Sequence, residues 1–356
     1  MSAPQIPEIP LSALVLTAGL GTRLEPLTYV RAKAAVPVNG ETLARRVVRW
    51  LTSFGIRDFV LNLHHLPASI TASVGDGSDL GARVRYSWEN PVLGSAGGPR
   101  RALPLLTDSS NLGSRAAYPG SRPSTSSRRP EPVEGRTTDP GTFLIVNGDT
   151  LTDVNIADML DAHLRSDAAV TMALIPNPRP DKYGGVTVSD SGWVTGFSRA
   201  GTGSSGYHFI GVQIAEARAF AALEDGVPSQ TVGALYPQMI AVDQRSVAAF
   251  LCEASFRDIG TPADYFDTSS HLVAEEGDHS RTGRGEKIDP TASIVRSAVW
   301  DDVTVGPGAE LIECIVCDGV QIPAGAKYRR SAIVPAAGRQ PKTGQRIDGS
   351  LLIAAF

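Results

Sequence analysis

Cysteine is scarce in this sequence: only Cys252, Cys314 and Cys317 occur among 356 residues. Three cysteines cannot form a disulfide framework, so the sequence predicts a protein of the reducing cytoplasm. Cys314 and Cys317 make a lone C-x-x-C pair, but a zinc site of this kind needs a second pair, and Cys252 is remote in the sequence. We therefore interpret the pair as two small side chains of the repeat region described below.

Long apolar runs and an excess of basic residues are also absent. No run approaches the ~20 apolar residues that a membrane-spanning helix needs. The first ten residues (MSAPQIPEIP) contain no basic segment followed by an apolar one, so no secretory signal is expected. The formal net charge is -4, which argues against a dedicated nucleic-acid binder. Neither a membrane nor a nucleic acid is therefore expected as a partner.

The overall composition is that of a globular protein. Hydrophobic residues make up 42% and charged residues 20%, which excludes a disordered chain, a coiled coil and a collagen-like polymer. At about 150 residues per domain, the length predicts two domains. Only five of the 33 basic residues are lysine, so a lysine inside a motif is more informative here than usual.

Short apolar runs alternate with amphipathic segments in the first half. The runs predict strands at 12–17, 58–63, 82–87 and 143–147, and the amphipathic segments predict helices at 41–54, 66–74, 99–106 and 155–166. This alternation is typical of an α/β sheet that is largely parallel. Four further strands at 168–175, 184–188, 193–198 and 206–214, followed by helices near 215–223 and 228–240, predict an antiparallel portion.

Residues 108–140 interrupt this pattern. Leu112, Tyr118 and Val133 are the large apolar residues of this stretch, too few to offset the entropy of ordering it. We interpret it as a disordered insertion. A regulatory arm or a basic docking segment is the alternative, because the stretch contains five arginines.

The C-terminal third contains a helix, a linker and a repeat. Thr261, Pro262 and Asp264 predict an N-cap, a first helical residue and a capping-box carboxylate for a helix that ends near 274. Polar residues 275–287 predict a linker. From 288 to 335 aliphatic residues recur about every six positions between turn segments, which is typical of a parallel β-helix. A β-rich tail without regular coils is the alternative.

The strongest chemical signal is the segment 16–40, LTAGLGTRLEPLTYVRAKAAVPVNG. Small residues after a first strand let the backbone approach a ligand, and successive amides can hold phosphate oxygens. The spacing matches neither a Walker A loop nor the Rossmann G-x-G-x-x-G. A glycine loop alone fits a structural turn equally well. Together with Arg23 and Lys33, it indicates a polyphosphate.

Two aspartates follow segments predicted as strands. Asp149 lies in Asn-Gly-Asp directly after 143–147, and Asp258 precedes the capped helix. Ligands of α/β sheets bind outside the carboxyl ends of the strands, where an aspartate and phosphate oxygens suit Mg²⁺. A plain turn for the first and a structural role for the second are the alternatives.

Residues 14–40 resemble the signature of the sugar-1-phosphate nucleotidylyltransferases, the nucleotide-sugar pyrophosphorylases. Their pattern G-x-G-T-R-L-x-P-L-T matches 19–28, and Lys33, Pro37 and Val38 match the P-K-P and P-V that follow. Four further motifs come in the family's order: L-G-S-A-G at 93–97, N-G-D at 147–149, Y-G-G-V at 183–186 and D-I-G-T-P at 258–262. The repeat region is similar to the left-handed β-helix of mannose-1-phosphate guanylyltransferases.

The resemblance implies an α/β fold: a Rossmann-like nucleotidyltransferase domain with a mixed sheet at 12–274, a linker, and a short C-terminal left-handed β-helix of hexapeptide-type repeats at 288–335. It implies that a nucleoside triphosphate and a sugar 1-phosphate are joined with release of pyrophosphate, with Mg²⁺ as cofactor. The implied site residues are catalytic Arg23 and Lys33; nucleotide-binding Leu16, Ala18, Gly19, Gly21, Thr22 and Gly97; sugar-binding Asn147, Gly184 and Arg199; and metal-binding Asp149 and Asp258.

Three positions depart from the family pattern. Alanines stand at 32 and 34 in place of prolines, and Ala200 stands where a lysine holds the sugar phosphate. The N-acetylmuramate-1-phosphate uridylyltransferases also lack that lysine, and N-L-H-H-L at 62–66 is similar to that branch, although we favour a packing role for its histidines. Arg199 or Lys182 is the candidate replacement. The sugar, the base and a homo-oligomeric state therefore stay open, as does a non-catalytic nucleotide-sugar sensor of the same fold.

The composition of the insertion leads to a testable expectation. Replacing residues 109–139 by a short Gly/Ser linker should leave thermal stability and turnover almost unchanged. Such connections typically need only ~2–6 residues, and closure entropy changes by only about 0.6 kcal/mol per halving of loop length. A side-by-side assay of the deletion and the parent checks this. Loss of turnover with the fold retained would assign the segment a part in the reaction.

Overall fold

The computed structural model describes residue 9 and the ranges 11–107, 141–202, 206–277 and 283–356. The predicted insertion at 108–140 lies outside the described residues, as do residues 278–282 of the predicted linker.

The chain divides into two compact units, each made of three segments. The first unit comprises 1–19, 47–64 and 74–256, and the second comprises 20–46, 65–73 and 257–356. The glycine-rich signature is thus shared between them, because the chain passes from one unit to the other between Gly19 and Leu20. The predicted domain bounds stay a prediction.

The strands before residue 252 are, in chain order, β1 (Ser12–Leu16), β2 (Pro37–Val38), β3 (Glu41–Thr42), β4 (Asp58–Leu63), β5 (Arg83–Trp88), β6 (Thr142–Asn147), β7 (Leu151–Thr152), β8 (Val170–Pro176), β9 (Gly185–Val188), β10 (Val194–Ser198), β11 (Tyr207–Glu216) and β12 (Val247–Leu251). The helices are α1 (Leu43–Thr52), α2 (Pro67–Val74), α3 (Gly94–Leu106), α4 (Ile156–Ser166), α5 (Ala217–Ala221), α6 (Tyr236–Val242) and α7 (Pro262–Glu276). None of the helices in the described ranges has the length and apolar character needed to cross a bilayer.

A mixed sheet forms the centre of the first unit. Its main path is β10-β9-β11-β6-β1-β4-β5, and β8 joins β11 to β12. β6, β1, β4 and β5 run parallel, whereas β11 is antiparallel to both β6 and β8. The prediction of a largely parallel sheet followed by an antiparallel portion is therefore confirmed as one mixed sheet.

Apolar runs explain the central strands. Leu14 of β1, Val60 of β4 and Phe143 of β6 are fully buried in one core cluster. Continuous rather than alternating hydrophobicity is expected here, because helices cover both faces of a parallel sheet. In α1, Leu43 and Leu51 are buried at helical spacing, as the sequence predicted.

The helix caps follow their sequence signals. Asn155 accepts hydrogen bonds from the backbone amides of Ala157 and Asp158 and so begins α4. Thr261 and Asp264 form the predicted capping box of α7, each side chain bonded to the other residue's backbone amide. α7 ends at Glu276, two residues beyond the prediction of 274.

Residues 287–335 form short parallel strands in three stacks. The stacked strands are β14 (Lys287–Ile288), β15 (Ser293–Val295), β16 (Ala298–Val299), β17 (Thr304–Val305), β18 (Glu310–Ile312), β19 (Ile315–Val316), β20 (Gln321–Ile322), β21 (Lys327–Arg329) and β22 (Ser331–Pro335). Outside the stacks, β13 (Phe256–Arg257) precedes α7, and β23 (Gln345–Asp348) and β24 (Leu351–Ala355) follow β22. The stacks are β14-β17-β20, β15-β18-β21 and β16-β19-β22.

Successive coils of these stacks are offset by 17 residues, since Lys287 pairs with Thr304 and Thr304 with Gln321. Val305, Leu311 and Val316, one from each stack, are buried in a common core. This arrangement is consistent with a parallel β-helix. The sequence predicted neither β23 nor β24. β24 extends the third stack antiparallel to β22, and β23 pairs antiparallel with β24.

Cys314 lies inside this core, and both Cys314 and Cys317 are fully buried. Burial raises the pKa of each thiol, which disfavours the thiolate that metal binding requires. The interpretation of this pair as packing residues agrees with these positions.

Candidate functional site

Parallel pairing of β1 and β6 brings two predicted site segments together in the first unit. Leu16, the last residue of β1, is the register partner of Asn147, the last residue of β6. The amide of Gly148 donates to the carbonyl of Leu16 at 2.9 Å, and the amide of Thr150 donates to Asn147 at 3.1 Å. The turn that carries Asp149 is therefore fixed beside the start of the glycine loop, at the carboxyl edge of the sheet.

The turn also depends on Gly211 in β11. This glycine has φ +79°, and a Cβ there would lie 2.6 Å from both Asn147 Nδ2 and Thr150 Oγ1. Any larger residue would be strained at this φ and would push against the side chains of Asn147 and Thr150, which flank Asp149. Gly211 was not predicted from the sequence, although a glycine within an apolar strand is a signal of close approach.

Asn62 and Glu89 hold the glycine loop in place through hydrogen bonds. The amides of Thr17 and Ala18 donate to Asn62 Oδ1, and Asn62 Nδ2 donates to Glu89 Oε1 at 2.6 Å. The other carboxylate oxygen, Glu89 Oε2, accepts from the amide of Leu93 at 2.7 Å. Glu89 is 1% exposed. One buried carboxylate thus couples the glycine loop to the start of α3, where Gly97 lies.

Because Gly98 has no side chain, the carboxylate of Glu89 has space beside it. A Cβ at Gly98 would lie 2.6 Å from Glu89 Oε1 and 3.0 Å from Asn62 Nδ2. Gly98, the third glycine of the segment 93–98 (L-G-S-A-G-G), is therefore required by the hydrogen bonds between Asn62 and Glu89.

We expect Glu89→Ala to destabilise the first unit more than a typical core substitution of similar size. Removal of the carboxylate leaves Asn62 Nδ2 and the Leu93 amide without their acceptor, and each unsatisfied buried donor costs about 1–3 kcal/mol. The urea midpoint of unfolding measures the change, with exposed Glu224→Ala as the control. Equal midpoints for the two variants would contradict the supporting role.

Gly97 lies inside the first turns of α3 and is buried. Its amide and that of Ala96 donate to the carbonyl of Ser229, at 3.3 and 3.0 Å. A Cβ at Gly97 would lie 2.7 Å from the carbonyl oxygen of Val227. The prediction that the helix begins at 99 was wrong, because contacts with the distant 227–231 segment extend it back to Gly94 despite the glycines and Pro99.

Two of the three predicted sugar-binding residues, Gly184 and Arg199, lie at one end of the β9–β10 hairpin, whereas Asn147 ends β6. Gly185 of β9 pairs with Ser198 of β10, so exposed Gly184 and Arg199 lie just beyond this pair. A Cβ at Gly184 would lie 2.8 Å from the Ser198 carbonyl oxygen, which explains the glycine. Lys182 Nζ lies 5.1 Å from the ring centroid of Tyr183. Both candidates for the missing lysine therefore belong to this end of the hairpin.

The glycine loop continues in the second unit and folds back on itself. Gly21 has φ +64°, and a Cβ there would lie 2.7 Å from Thr28 Cγ2 and 3.1 Å from Lys33 Cβ. Thr28 Oγ1 donates to the carbonyl of Gly21 at 3.1 Å. Lys33 is therefore held against the loop, although it follows Gly21 by twelve positions.

Three charged groups converge around Gly260 in the second unit. A Cβ at Gly260 would lie 3.1 Å from Asp258 Oδ2, 3.2 Å from Asp264 Oδ2 and 3.4 Å from Arg23 Nη1. Gly260 is buried, whereas Arg23 is exposed. The predicted phosphate-binding arginine and the predicted metal-binding Asp258 are thus brought together at the N-terminus of α7.

The two adjacent histidines have separate packing roles. His64 Nδ1 donates to the carbonyl of Glu89 at 3.0 Å, in the first unit. His65 Nε2 donates to the carbonyl of Thr28 at 2.8 Å, in the second. These contacts agree with the packing interpretation.

Each unit therefore contains part of the predicted set of site residues. The first contains Leu16, Ala18, Gly19, Gly97, Asn147, Asp149, Gly184 and Arg199, and the second contains Gly21, Thr22, Arg23, Lys33 and Asp258. Within the described residues, no group of three or more histidine, cysteine, aspartate or glutamate side chains is arranged as a metal site. The roles assigned to these residues stay predictions.

The chain is similar to characterised nucleotidyltransferases along most of its length. It is 25% identical over 331 residues to a mannose-1-phosphate guanylyltransferase of Mycobacterium tuberculosis, covering 90% of this chain and 83% of that protein. It is 29% identical over 231 residues to an N-acetylmuramate alpha-1-phosphate uridylyltransferase of Neisseria meningitidis serogroup B, covering 64% of this chain and 83% of the relative.

The fold agrees with that of a solved structure. HddC from Yersinia pseudotuberculosis, complexed with GMP-PN, superposes with a TM-score of 0.56 at 19% identity and covers 74% of this chain and 99% of its own. The family model described as Nucleotidyl transferase matches residues 12–117 and 133–275. The resemblance found in the sequence is therefore confirmed, and the chain belongs to the nucleotidyl transferase family as one of its sugar-1-phosphate nucleotidylyltransferase enzymes.

Proposed function

We propose that the protein transfers a nucleotidyl group from a nucleoside triphosphate to a sugar 1-phosphate and releases pyrophosphate. The observation that carries the proposal is the convergence of Arg23 and Asp258 around Gly260, with Lys33 held against Gly21 in the same unit. A guanidinium, an ammonium and a carboxylate around a glycine-rich loop suit a triphosphate and its counter-ion better than an uncharged ligand.

In this reaction a phosphate oxygen of the sugar 1-phosphate attacks the α-phosphorus in line, and pyrophosphate leaves with the electrons of the broken P–O bond. The protein's part is positioning and charge neutralisation. Arg23 stabilises the departing pyrophosphate with its fork of donors. Lys33 holds the α-phosphate or the attacking phosphate. The backbone of 16–22 meets the base and ribose, and Asn147 and Gly184 contact the sugar.

Enzymes of this family generally use a divalent metal, and we propose Mg²⁺. Asp149 and Asp258 supply carboxylate oxygens, which are the hard ligands that Mg²⁺ prefers, and Mg²⁺ typically completes its shell with water and phosphate oxygens. A site with few protein ligands fits this chemistry. Held by Asp149 and Asp258, Mg²⁺ would supply positive charge that offsets the negative charge of the triphosphate.

We propose two candidate pairs of sugar and base, mannose 1-phosphate with GTP and N-acetylmuramate 1-phosphate with UTP. The names of the two relatives given above support them. Ala200 favours the second pair, since that branch lacks the sugar-phosphate lysine. We propose that exposed Arg199, or Lys182, takes the place of the lysine.

We further propose that residues 288–335 form a left-handed β-helix of hexapeptide-type repeats, separate from a catalytic domain at 12–274. The 17-residue offset of the coils supports this, because it corresponds to three sides of about six residues each. We propose a cytoplasmic location, which the small number of cysteines supports, and a homo-oligomeric assembly.

A non-catalytic subunit that binds a nucleotide sugar is the alternative, favoured by Ala200 and by the alanines at 32 and 34. Pyrophosphate release measured with four nucleoside triphosphates against mannose, glucose, N-acetylglucosamine and N-acetylmuramate 1-phosphates separates the two. The proposal predicts release with at least one pair. Tight binding of a nucleotide sugar with no release from any pair would support the alternative.

A further inference from the structure

Arg31 is tied to the C-terminal coils by a clamp of two carboxylates. Its Nε donates to Asp318 Oδ2 at 2.6 Å, and its Nη2 donates to Asp318 Oδ1 at 2.7 Å and to Asp301 Oδ2 at 2.8 Å. The side chain of Arg31 is 15% exposed. Asp301 and Asp318 occupy equivalent positions in successive coils, and the Asp301 amide donates to Asp318 Oδ1 at 3.1 Å. Two coils therefore hold one guanidinium.

A buried aromatic pair completes the clamp. The Arg31 guanidinium carbon lies 5.5 Å from the ring centroid of Trp300, which is 2% exposed. Trp300 Nε1 donates to the Tyr265 hydroxyl at 3.0 Å, and that hydroxyl donates to the carbonyl of Pro37 at 2.7 Å. Arg31 and Pro37 flank Lys33, so both ends of the short segment that carries the lysine are fixed to the same network.

The segment between these anchors is buried at Ala32, Ala34 and Val36, and the Ala32 amide donates to Ser69 Oγ at 3.0 Å. Lys33–Ala35 is a single 3₁₀ turn closed by the amide of Ala35 on the carbonyl of Ala32 at 2.8 Å and that of Val36 on Lys33 at 3.2 Å. Ala32 has φ -56°, a value that a proline ring would fix, whereas alanine leaves the unfolded chain free to adopt others. The anchors at Arg31 and Pro37 thus fix the two ends of the turn from which the Lys33 side chain projects.

The two carboxylates of the clamp keep the Arg31 guanidinium charged. Burial lowers the pKa of Arg31, but the hydrogen bonds and charges of Asp318 and Asp301 outweigh it and raise that pKa above its ordinary value. The guanidinium thus stays charged wherever the protein is folded. Loss of Arg31 would leave two neighbouring carboxylates without the cation between them, which is more costly than loss of either carboxylate.

We propose that Arg31 is a positioning residue, which holds the 3₁₀ turn of Lys33 in place by clamping it to Asp301 and Asp318 of the C-terminal coils. The inference rests on the proposed function, in which Lys33 contacts a phosphate. It makes the coils part of the catalytic apparatus, since two of their side chains fix a segment of the glycine-rich signature.

The test compares Arg31→Ala, Arg31→Lys and the milder Asp318→Asn with a matched control, Arg284→Ala. Arg284 contacts the same carboxylate of Asp301 at 3.5 Å, but its side chain is 90% exposed and it does not touch the signature segment. Pyrophosphate release gives kcat and KM, and hydrogen exchange of the Ala35 and Val36 amides reports the 3₁₀ turn directly.

Arg31→Ala is expected to lower kcat about 10–100-fold with a smaller change in KM for the nucleotide, because misplacement of a positioned group affects the transition state most. Lysine, which has no bidentate fork, should restore part of the loss, and the control should stay within about twofold. Exchange protection of Ala35 and Val36 should fall in the same order as kcat.

The inference is overturned if Arg31→Ala retains kcat and protection, or if kcat falls while protection is unchanged, since the residue would then act without positioning the turn. If Arg31→Ala does not fold, Asp318→Asn decides by the same two readouts. A wild-type chain that releases no pyrophosphate from any pair contradicts the proposed function. Loss of protection in the variants would still support the clamp in that case.

Discussion

Asp149→Asn is expected to abolish most turnover while leaving the fold intact. Backbone hydrogen bonds of Leu16, Asn147 and Thr150 hold the turn at the end of β6. Because asparagine is isosteric with aspartate, we expect the turn to keep its geometry. The amide removes a negative charge from the proposed metal site. We expect a loss in kcat larger than the about 10–100-fold that loss of an outer-shell partner of a metal costs, with Tm changed by less than about 2 °C.

Steady-state assays at saturating Mg²⁺ measure this loss. Asp153→Asn is the matched control, because exposed Asp153 lies four positions away and uses its Oδ1 to accept from the Ser255 amide at 2.7 Å. Asp258→Asn should act like Asp149→Asn but more mildly. Near-wild-type turnover in folded Asp149→Asn would remove Asp149 from the proposed site.

The second large effect is expected at Arg23. Arg23→Ala removes the guanidinium beside Asp258 at the N-terminus of α7, and with it the donors proposed for the leaving pyrophosphate. Loss of one such donor typically costs about 10²–10³ in kcat. Arg23→Lys keeps the charge but not the bidentate geometry, so it should lie between alanine and the wild type.

Nucleotide binding should weaken less than turnover in both Arg23 variants, which calorimetric titration and steady-state kinetics measure together. Arg257→Ala is the control, because this arginine precedes Asp258 but pairs with Glu275 at 2.8 Å on the surface. If affinity falls and turnover at saturation does not, Arg23 is a ground-state contact only.

Local signals predicted most of the fold. The apolar runs of β1, β4 and β6 and the capping box of α7 are carried by neighbouring residues, so no tertiary information was needed. β12 was missed because Val-Ala-Ala-Phe-Leu is a weak strand signal, and its conformation depends on parallel pairing with β8. The start of α3 was misplaced for the same reason, since its first turn is held by Ser229.

The residues of the proposed site show the same contrast between local signals and contacts that are distant in the sequence. Arg23, Lys33, Asp149 and Asp258 could be predicted as site residues because their motifs are contiguous in the sequence. Glu89, Gly211 and Arg31 were missed because each acts on a site segment that is distant in the sequence or separated from it by the fold. A buried carboxylate partner of Asn62, or two aspartates one coil apart around Arg31, becomes visible only when the strands are paired.

The most direct test of the central claim is identification of the products by mass spectrometry. The wild-type chain, Mg²⁺ and the most active substrate pair are incubated, and the nucleoside diphosphate sugar and pyrophosphate are quantified. Nucleotidyl transfer predicts that the two products form in equal amounts and that Asp149→Asn forms neither at a comparable rate. Hydrolysis of the triphosphate without a sugar-linked product, or nucleotide-sugar binding without turnover, would contradict it.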